Sequence, residues 1–193
     1  MTTMLNLGPA DEPVSLADAK AHLKVDDSNE DQLVQALVTA ARAHLELATR
    51  RAFLTQSWSL FLDRWPEGGT VALPFGPVQS VDAVRLHDEG GTATTLAGSE
   101  YVVDTVSLPA RVARPGHDGW PGRATRALNG IEIMFTAGFG AAPGDVPAPL
   151  RQAILQLVAH WFEHREPLAF DGAAIEMPAA VKALIAPYRM VSL

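Results

Sequence analysis

The sequence contains no cysteine among its 193 residues. This absence excludes disulfide bonds, thiolate zinc sites and a cysteine nucleophile, and it agrees with synthesis in a reducing cytoplasm. Basic residues are also few, because 15 Lys and Arg stand against 22 Asp and Glu, for a formal net charge of −7. Phosphate neutralisation supplies most nucleic-acid affinity, so this charge argues against a general DNA binder. The net negative charge is compatible with a surface past which DNA slides without binding.

Long apolar segments are missing as well. No uncharged apolar run reaches the roughly 18 residues that span a bilayer. Residues 1–10 lack the basic cluster and apolar stretch of a signal peptide. Hydrophobic residues nevertheless make up 48% of the chain, enough for a buried core. The sequence therefore predicts a folded, soluble protein with no membrane partner.

Composition divides the chain into three zones, which we predict to form a single α+β domain over residues 1–193. Residues 14–53 show helical spacing, residues 56–139 contain short alternating strands between Gly- and Pro-rich turns, and residues 147–193 return to helix with a C-terminal tail. This order predicts a helical core built from the N- and C-terminal zones. An antiparallel β-rich subdomain is inserted between them.

Local signals place the helices within these zones. Ser15 and Asp18 have the spacing of a capping box before a helix over residues 16–23. Asp27 or Ser28 is expected to cap a long second helix, and Pro178 to begin a short last helix over residues 179–185. We expect the second helix to bury one apolar stripe: Leu33, Leu37, Ala40, Ala41, His44, Leu45 and Ala48.

One enzyme-like pattern is the segment H-x-x-E-H formed by His160, Glu163 and His164. Two histidines one helical turn apart can bind zinc with the glutamate as a general base, which would make the protein a metal-dependent hydrolase. A third ligand would have to be Glu166 or Glu176. The alternative is an ordinary helix C-terminus, where basic side chains meet the helix dipole favourably. We favour the second interpretation and expect no catalytic residue, metal or cofactor.

A second pattern is a cluster of basic residues in a segment with loop-like composition: Arg111, Arg114, His117, Arg123 and Arg126. These side chains could bind a polyanion, which would make the middle zone a polyanion-binding β module. Alternatively they form ion pairs with nearby carboxylates. If they serve assembly, Arg111, Arg114, Arg123 and Arg126 are candidates for contacts between subunits.

Six segments follow one another in a recognisable order: residues 14–25, 51–58, 73–81, 136–147, 153–166 and 178–189. They include the opening helix, Leu-Pro-Phe-Gly-Pro-Val in the third segment, Thr-Ala-Gly-Phe-Gly in the fourth, and Pro-Tyr-Arg at the end of the sixth. This order resembles the phage head–tail connector (adaptor) family, including the adaptor of gene transfer agents.

The resemblance implies a structural protein at the head–tail interface of a virion or phage-like particle. Members form a homo-oligomeric ring, typically a dodecamer, which sits beneath the portal protein and extends the DNA channel towards a tail-side connector or terminator protein. DNA is expected to pass without specific binding.

The C-terminal tail is the predicted portal-docking segment, through Pro187, Tyr188, Arg189, Met190, Val191 and Leu193. The alternative for this tail is that it packs on its own subunit.

Overall fold

The computed structural model describes residues 1–117, 120, 125–164 and 177–190. Its four helices are α1 (Leu16–Leu23), α2 (Asp31–Thr49), α3 (Ala148–Glu163) and α4 (Ala179–Ile185). Its eight strands are β1 (Thr2–Leu7), β2 (Gln56–Leu62), β3 (Thr70–Ala72), β4 (Val78–His87), β5 (Ala93–Thr95), β6 (Val102–Asp104), β7 (Arg111–Ala113) and β8 (Ile131–Ala137). Every strand pair is antiparallel, so the predicted α+β class is confirmed. No helix of the described residues is long and apolar enough to cross a membrane.

The described chain forms two compact units. Among the described residues, the strand unit comprises Met1–Pro9 and the chain between Thr55 and Gly138, and the helical unit comprises Ala10–Leu54 and the chain between Phe139 and Met190. The strand unit holds a five-stranded sheet of order β1-β2-β8-β4-β5 and a three-stranded sheet of order β3-β7-β6. The single domain over residues 1–193 stays a prediction.

The helical unit is held together by apolar residues from all four helices. Helix α2 contributes Val34, Val38, Ala41 and Leu45, and α3 contributes Leu150, Ala153, Ile154, Leu157 and Val158, all buried. The predicted stripe of α2 was partly wrong, because Ala40 and His44 are exposed. Alanines and leucines occur around most of the α2 circumference, so spacing alone did not identify the buried side. The branched side chains Val34 and Val38 mark it instead.

The predicted start of α1 is confirmed, and that of α2 is corrected. The Ser15 hydroxyl accepts the Asp18 N–H at 3.0 Å and donates to Asp18 Oδ2 at 2.6 Å, so Ser15 caps the helix without the reciprocal backbone bond of a capping box. Helix α2 begins after Glu30 without a side-chain cap, whereas the Asp27 carboxylate accepts the Asn29 N–H at 2.8 Å. Asp27 therefore closes a turn ahead of the helix instead of capping it.

The five-stranded sheet has one continuous apolar face. Register pairs Leu60 with Ile133 and Ile133 with Val84, so alternate residues of β2, β8 and β4 share that face. The short strands predicted within residues 56–139 are confirmed at β2, β4, β6 and β8. Strands β1, β3, β5 and β7 were not predicted. They are short or lie at a sheet edge, where little alternation is needed.

Candidate functional site

The H-x-x-E-H segment lies at the end of α3. The rings of His160 and His164 are 4.6 Å apart between centroids, and His164 follows the last helical residue. Nδ1 of His164 lies 2.8 Å from the His160 carbonyl oxygen, a donor geometry that places the proton on Nδ1. Within the described ranges no group of three potential ligands surrounds a metal position. The third-ligand candidates Glu166 and Glu176 lie outside those ranges.

Arg111 braces a loop of the strand unit. It lies on β7, which corrects its predicted position in a loop, and its guanidinium donates to Asp104 Oδ2 at 3.1 and 2.6 Å. Asp104 Oδ1 also accepts the N–H groups of Val106 and Ser107, each at 3.0 Å. Ser107, through its side chain and N–H, and Arg111 hold the pKa of Asp104 well below its usual range. The segment between β6 and β7 is thereby fixed around one carboxylate.

This braced loop presents apolar side chains to solvent. Val106 is 91% exposed and Leu108 is 59% exposed, although both follow directly on the ordered Asp104 contacts. Single exposed apolar residues are common on protein surfaces. The exposure of Val106 and Leu108 therefore assigns no binding role to this loop.

The other basic residues have separate positions. Arg126 donates to the Asn129 carbonyl oxygen at 3.1 and 2.9 Å, which closes the turn before β8. Arg114 follows directly after β7, and Arg123 lies outside the described residues. Two of the four arginines therefore have a clear role within the strand unit. Their contact with a second subunit stays a prediction.

The C-terminal segment is tied to the helical unit as far as Met190. The Tyr188 carbonyl oxygen accepts a hydrogen bond from Arg51 Nε at 2.9 Å, and the Met190 N–H donates to the Thr49 carbonyl oxygen at 3.0 Å. The Tyr188 ring packs edge-on against Phe139 with centroids 6.4 Å apart. Of the other predicted docking residues, Pro187 and Arg189 are exposed, and Val191 and Leu193 lie outside the described residues. The root of the tail thus packs on its own subunit, and the portal contact stays a prediction.

Sequence reasoning missed two polar networks. In the helical unit, Arg42 donates to Glu12 and to Glu46, each at 2.7 Å, and Glu46 Oε1 accepts the buried N–H of Phe53 at 2.7 Å. Burial lowers the pKa of Arg42, but the hydrogen bonds and charges of Glu12 and Glu46 outweigh it, and the pKa is raised above its ordinary value. Only the spacing of Arg42 and Glu46 could have signalled this network, because Glu12 lies far off in sequence.

The second network lies on the five-stranded sheet. Ser59 donates to Glu132 Oε1 at 2.8 Å and accepts from Asn6 at 2.9 Å, while His87 Nε2 lies 3.0 Å from Glu132 Oε2. Glu132 stands between the serine and the histidine, so this histidine cannot act as a base on this serine. The network joins β1, β2, β8 and β4 on the face opposite the apolar core.

Comparison with known proteins gives one consistent result. A family model described as phage gp6-like head–tail connector protein matches residues 13–106. A chain from the neck of an empty GTA particle, computed with C6 symmetry, is 30% identical, with 100% of this chain and 97% of that chain covered and a TM-score of 0.82.

Two further solved structures agree. A chain from the virion of a native gene transfer agent (GTA) particle is 30% identical, with coverage of 100% and 97% and a TM-score of 0.81. A chain from the neck of a native GTA particle, computed with C12 symmetry, is 33% identical, with coverage of 98% and 97% and a TM-score of 0.77. No curated protein matches significantly.

Proposed function

Because this chain belongs to the phage head–tail connector family, we propose that it is a structural adaptor which forms a homo-oligomeric ring between portal and tail. The resemblance to this family, including the gene transfer agent adaptor, is confirmed. The observation that carries the proposal is 33% identity to a GTA neck chain over 98% of this chain. The family points to a structural protein at the head–tail interface and not to an enzyme.

The proposed ring has twelve copies. Two of the related neck structures were computed with C6 and C12 symmetry, which describes those particles and supports a cyclic arrangement here. In a cyclic ring every subunit uses one surface towards the preceding copy and a different surface towards the next. The interface is therefore heterologous, and arginines 111, 114, 123 and 126 are proposed to contribute to it.

The C-terminal tail is proposed to bind the portal. Its root is held as far as Met190 by the Arg51 and Thr49 contacts. A fixed root lowers the entropy lost when a short segment binds. Pro187 and Arg189 are exposed beside that root, and they extend the surface open to a partner.

The acidic balance supports passage of DNA without retention. A net charge of −7 gives no general attraction for phosphates. In the strand unit, Arg111 and Arg126 are engaged with Asp104 and with the Asn129 carbonyl oxygen, which leaves them poorly suited to grip a polyanion. Among the described residues no three potential metal ligands lie together, so no observation on them favours the hydrolase.

The experiment is a pull-down with the portal protein of the same particle, followed by negative-stain imaging. We expect rings attached to portals from the full chain. A chain ending at Met190 keeps the Thr49 contact and should fold normally but lose portal attachment. A matched full-length Val106→Ser variant should attach as wild type. Attachment of the shortened chain would refute tail docking, and absence of any attachment by the full chain would refute the proposed function.

A further inference from the structure

Strand β1 has one edge without a partner strand. It pairs with β2 from Thr2 opposite Phe61 to Leu7 opposite Ser57, and it ends the order β1-β2-β8-β4-β5. Within the part of the chain that the structure describes, no strand pairs with its other side. An edge strand carries a row of outward N–H and C=O groups, which are a template for another strand.

The side chains of β1 do nothing to prevent such pairing. Residues 1–10 contain no charged side chain. Met4, Leu5 and Leu7 are 50%, 45% and 70% exposed. Proteins ordinarily protect an edge with lysine, proline, a bulge or a very short strand. Here a bulge falls between Leu5 and Leu7, which leaves Thr2–Leu5 regular and open.

The opposite edge of the same sheet has matching chemistry. Strand β5 pairs with β4 alone among the described strands, and all three of its residues are exposed. Residues 90–99 around it also contain no charged side chain, although charged residues make up 19% of the whole chain. Both edges therefore lack the charges that would repel another strand.

The strand directions make these two edges compatible with a ring. Each neighbouring pair in the five-stranded sheet is antiparallel, so the first and fifth strands, β1 and β5, run in the same direction. A rotation that carries one subunit to the next preserves direction when the strands follow the rotation axis. Pairing of β5 with the next β1 would then be parallel and heterologous, whereas β1 with β1 would be isologous and stop at two copies.

We propose that β1 of one subunit pairs in parallel with β5 of the neighbouring subunit, so that the sheets of successive copies join edge to edge around the ring. This inference rests on the proposed function, because it needs the ring. The short β5 limits the contact to about three residues on each strand, so it is one part of the subunit interface. It fixes neighbour orientation through backbone hydrogen bonds that any exposed strand can make.

The absence of cysteine allows a direct test by disulfide formation. Thr94→Cys is combined in turn with Thr2→Cys, Thr3→Cys and Met4→Cys, since the register of the pairing is open. Each variant is produced with the other particle proteins, and particles are purified, oxidised and separated without reductant. We expect at least one pair to give covalent multimers beyond the dimer. The single variants, and Thr3→Cys with Val106→Cys, should give none.

A second variant tests the same edge without a crosslink. Met4→Lys places a charge on the exposed edge and should reduce incorporation into particles severalfold, whereas Val106→Lys should incorporate as wild type. Unchanged thermal unfolding of both purified variants shows that they fold. If the cysteine variants enter particles and no pair crosslinks, or Met4→Lys incorporates normally, the edge pairing is wrong and the proposed function stands. If wild-type chain is absent from particles, both are wrong.

Discussion

Replacing Glu46 by alanine should destabilise the helical unit more than any exposed substitution on the same helix. The side chain of Glu46 is buried, and it joins three elements of structure. Its Oε1 accepts the N–H of Phe53, where the chain leaves the helical unit, and its Oε2 accepts from Arg42, which also binds Glu12. Alanine removes the acceptor and the charge together.

The expected cost can be estimated from these contacts. A buried N–H left without an acceptor costs about 1–3 kcal/mol. Losing one charged hydrogen bond of Arg42 adds about 1 kcal/mol, because Glu12 still pairs with the guanidinium. The better helix propensity of alanine offsets only a few tenths, roughly 0.3 kcal/mol. We therefore expect Glu46→Ala to lower the free energy of unfolding by about 3 kcal/mol. Glu46→Gln keeps an acceptor for the Phe53 N–H and should cost about 1 kcal/mol.

Urea unfolding followed by circular dichroism at the helical band measures this difference, because the four described helices belong to the helical unit. The midpoint should fall in the order wild type, Glu46→Gln, Glu46→Ala, at an unchanged slope. The control is Gln35→Ala, which lies exposed on α2 and should stay within about 0.5 kcal/mol of wild type. A Glu46→Ala variant as stable as this control would refute the reasoning.

Three further changes test separate features. Asp104→Asn should speed amide exchange at Val106 by loosening the braced loop. In wild type the pKa of Asp104 is lowered, so its carboxylate protects the Val106 N–H from exchange at neutral pH. This protection should be lost only as the pH falls through the lowered pKa, and amide exchange measured as a function of pH tests this. Trp120→Ala removes a ring stack on Trp65 with centroids 3.7 Å apart, and should abolish their coupled near-ultraviolet circular dichroism signal. The free energy of unfolding should fall by about 1 kcal/mol. His160→Ala should leave the zinc content of the purified protein unchanged and below stoichiometric by elemental analysis, whereas loss of a bound zinc would revive the hydrolase.

Local signals predicted the elements whose cause is local. The Ser15 cap and the proline before α4 set helix starts through contacts within one turn, so α1 and α4 agree with the prediction. The alternation in β2 and β8 reflects one buried face, and it needs no knowledge of the partner strands. Such features can be obtained from a window of a few residues.

The missed features depend on contacts that are distant in sequence. Strand β7 has three residues and exists because β3 and β6 flank it, so composition alone suggested a loop around Arg111. Which side of α2 is buried depends on α3, which begins 99 residues after the end of α2. The ion pair between Arg42 and Glu12 needs the fold to bring residue 12 to α2. These are tertiary effects that override local pattern.

The segments that carried the family resemblance include those where the chain leaves and re-enters the helical unit. The Phe139 N–H donates to the Phe53 carbonyl oxygen at 3.1 Å, and Leu54 forms a parallel bridge with Gly140. A Cβ on Gly140 would collide with the side chain of Asp145, which caps the next turn by accepting the Ala142 N–H at 2.9 Å.

The backbone of these two segments is fixed by mutual hydrogen bonds and close contacts, so few residue types fit there. A core position, in contrast, accepts several apolar side chains of similar volume. The chain can therefore share only 30% identity with a neck protein and still have the same fold, with a TM-score of 0.82. For the same reason the family resemblance is carried by short segments of sequence. On this argument Gly140→Ala should impair folding more than a conservative change such as Ile154→Val in the adjacent core.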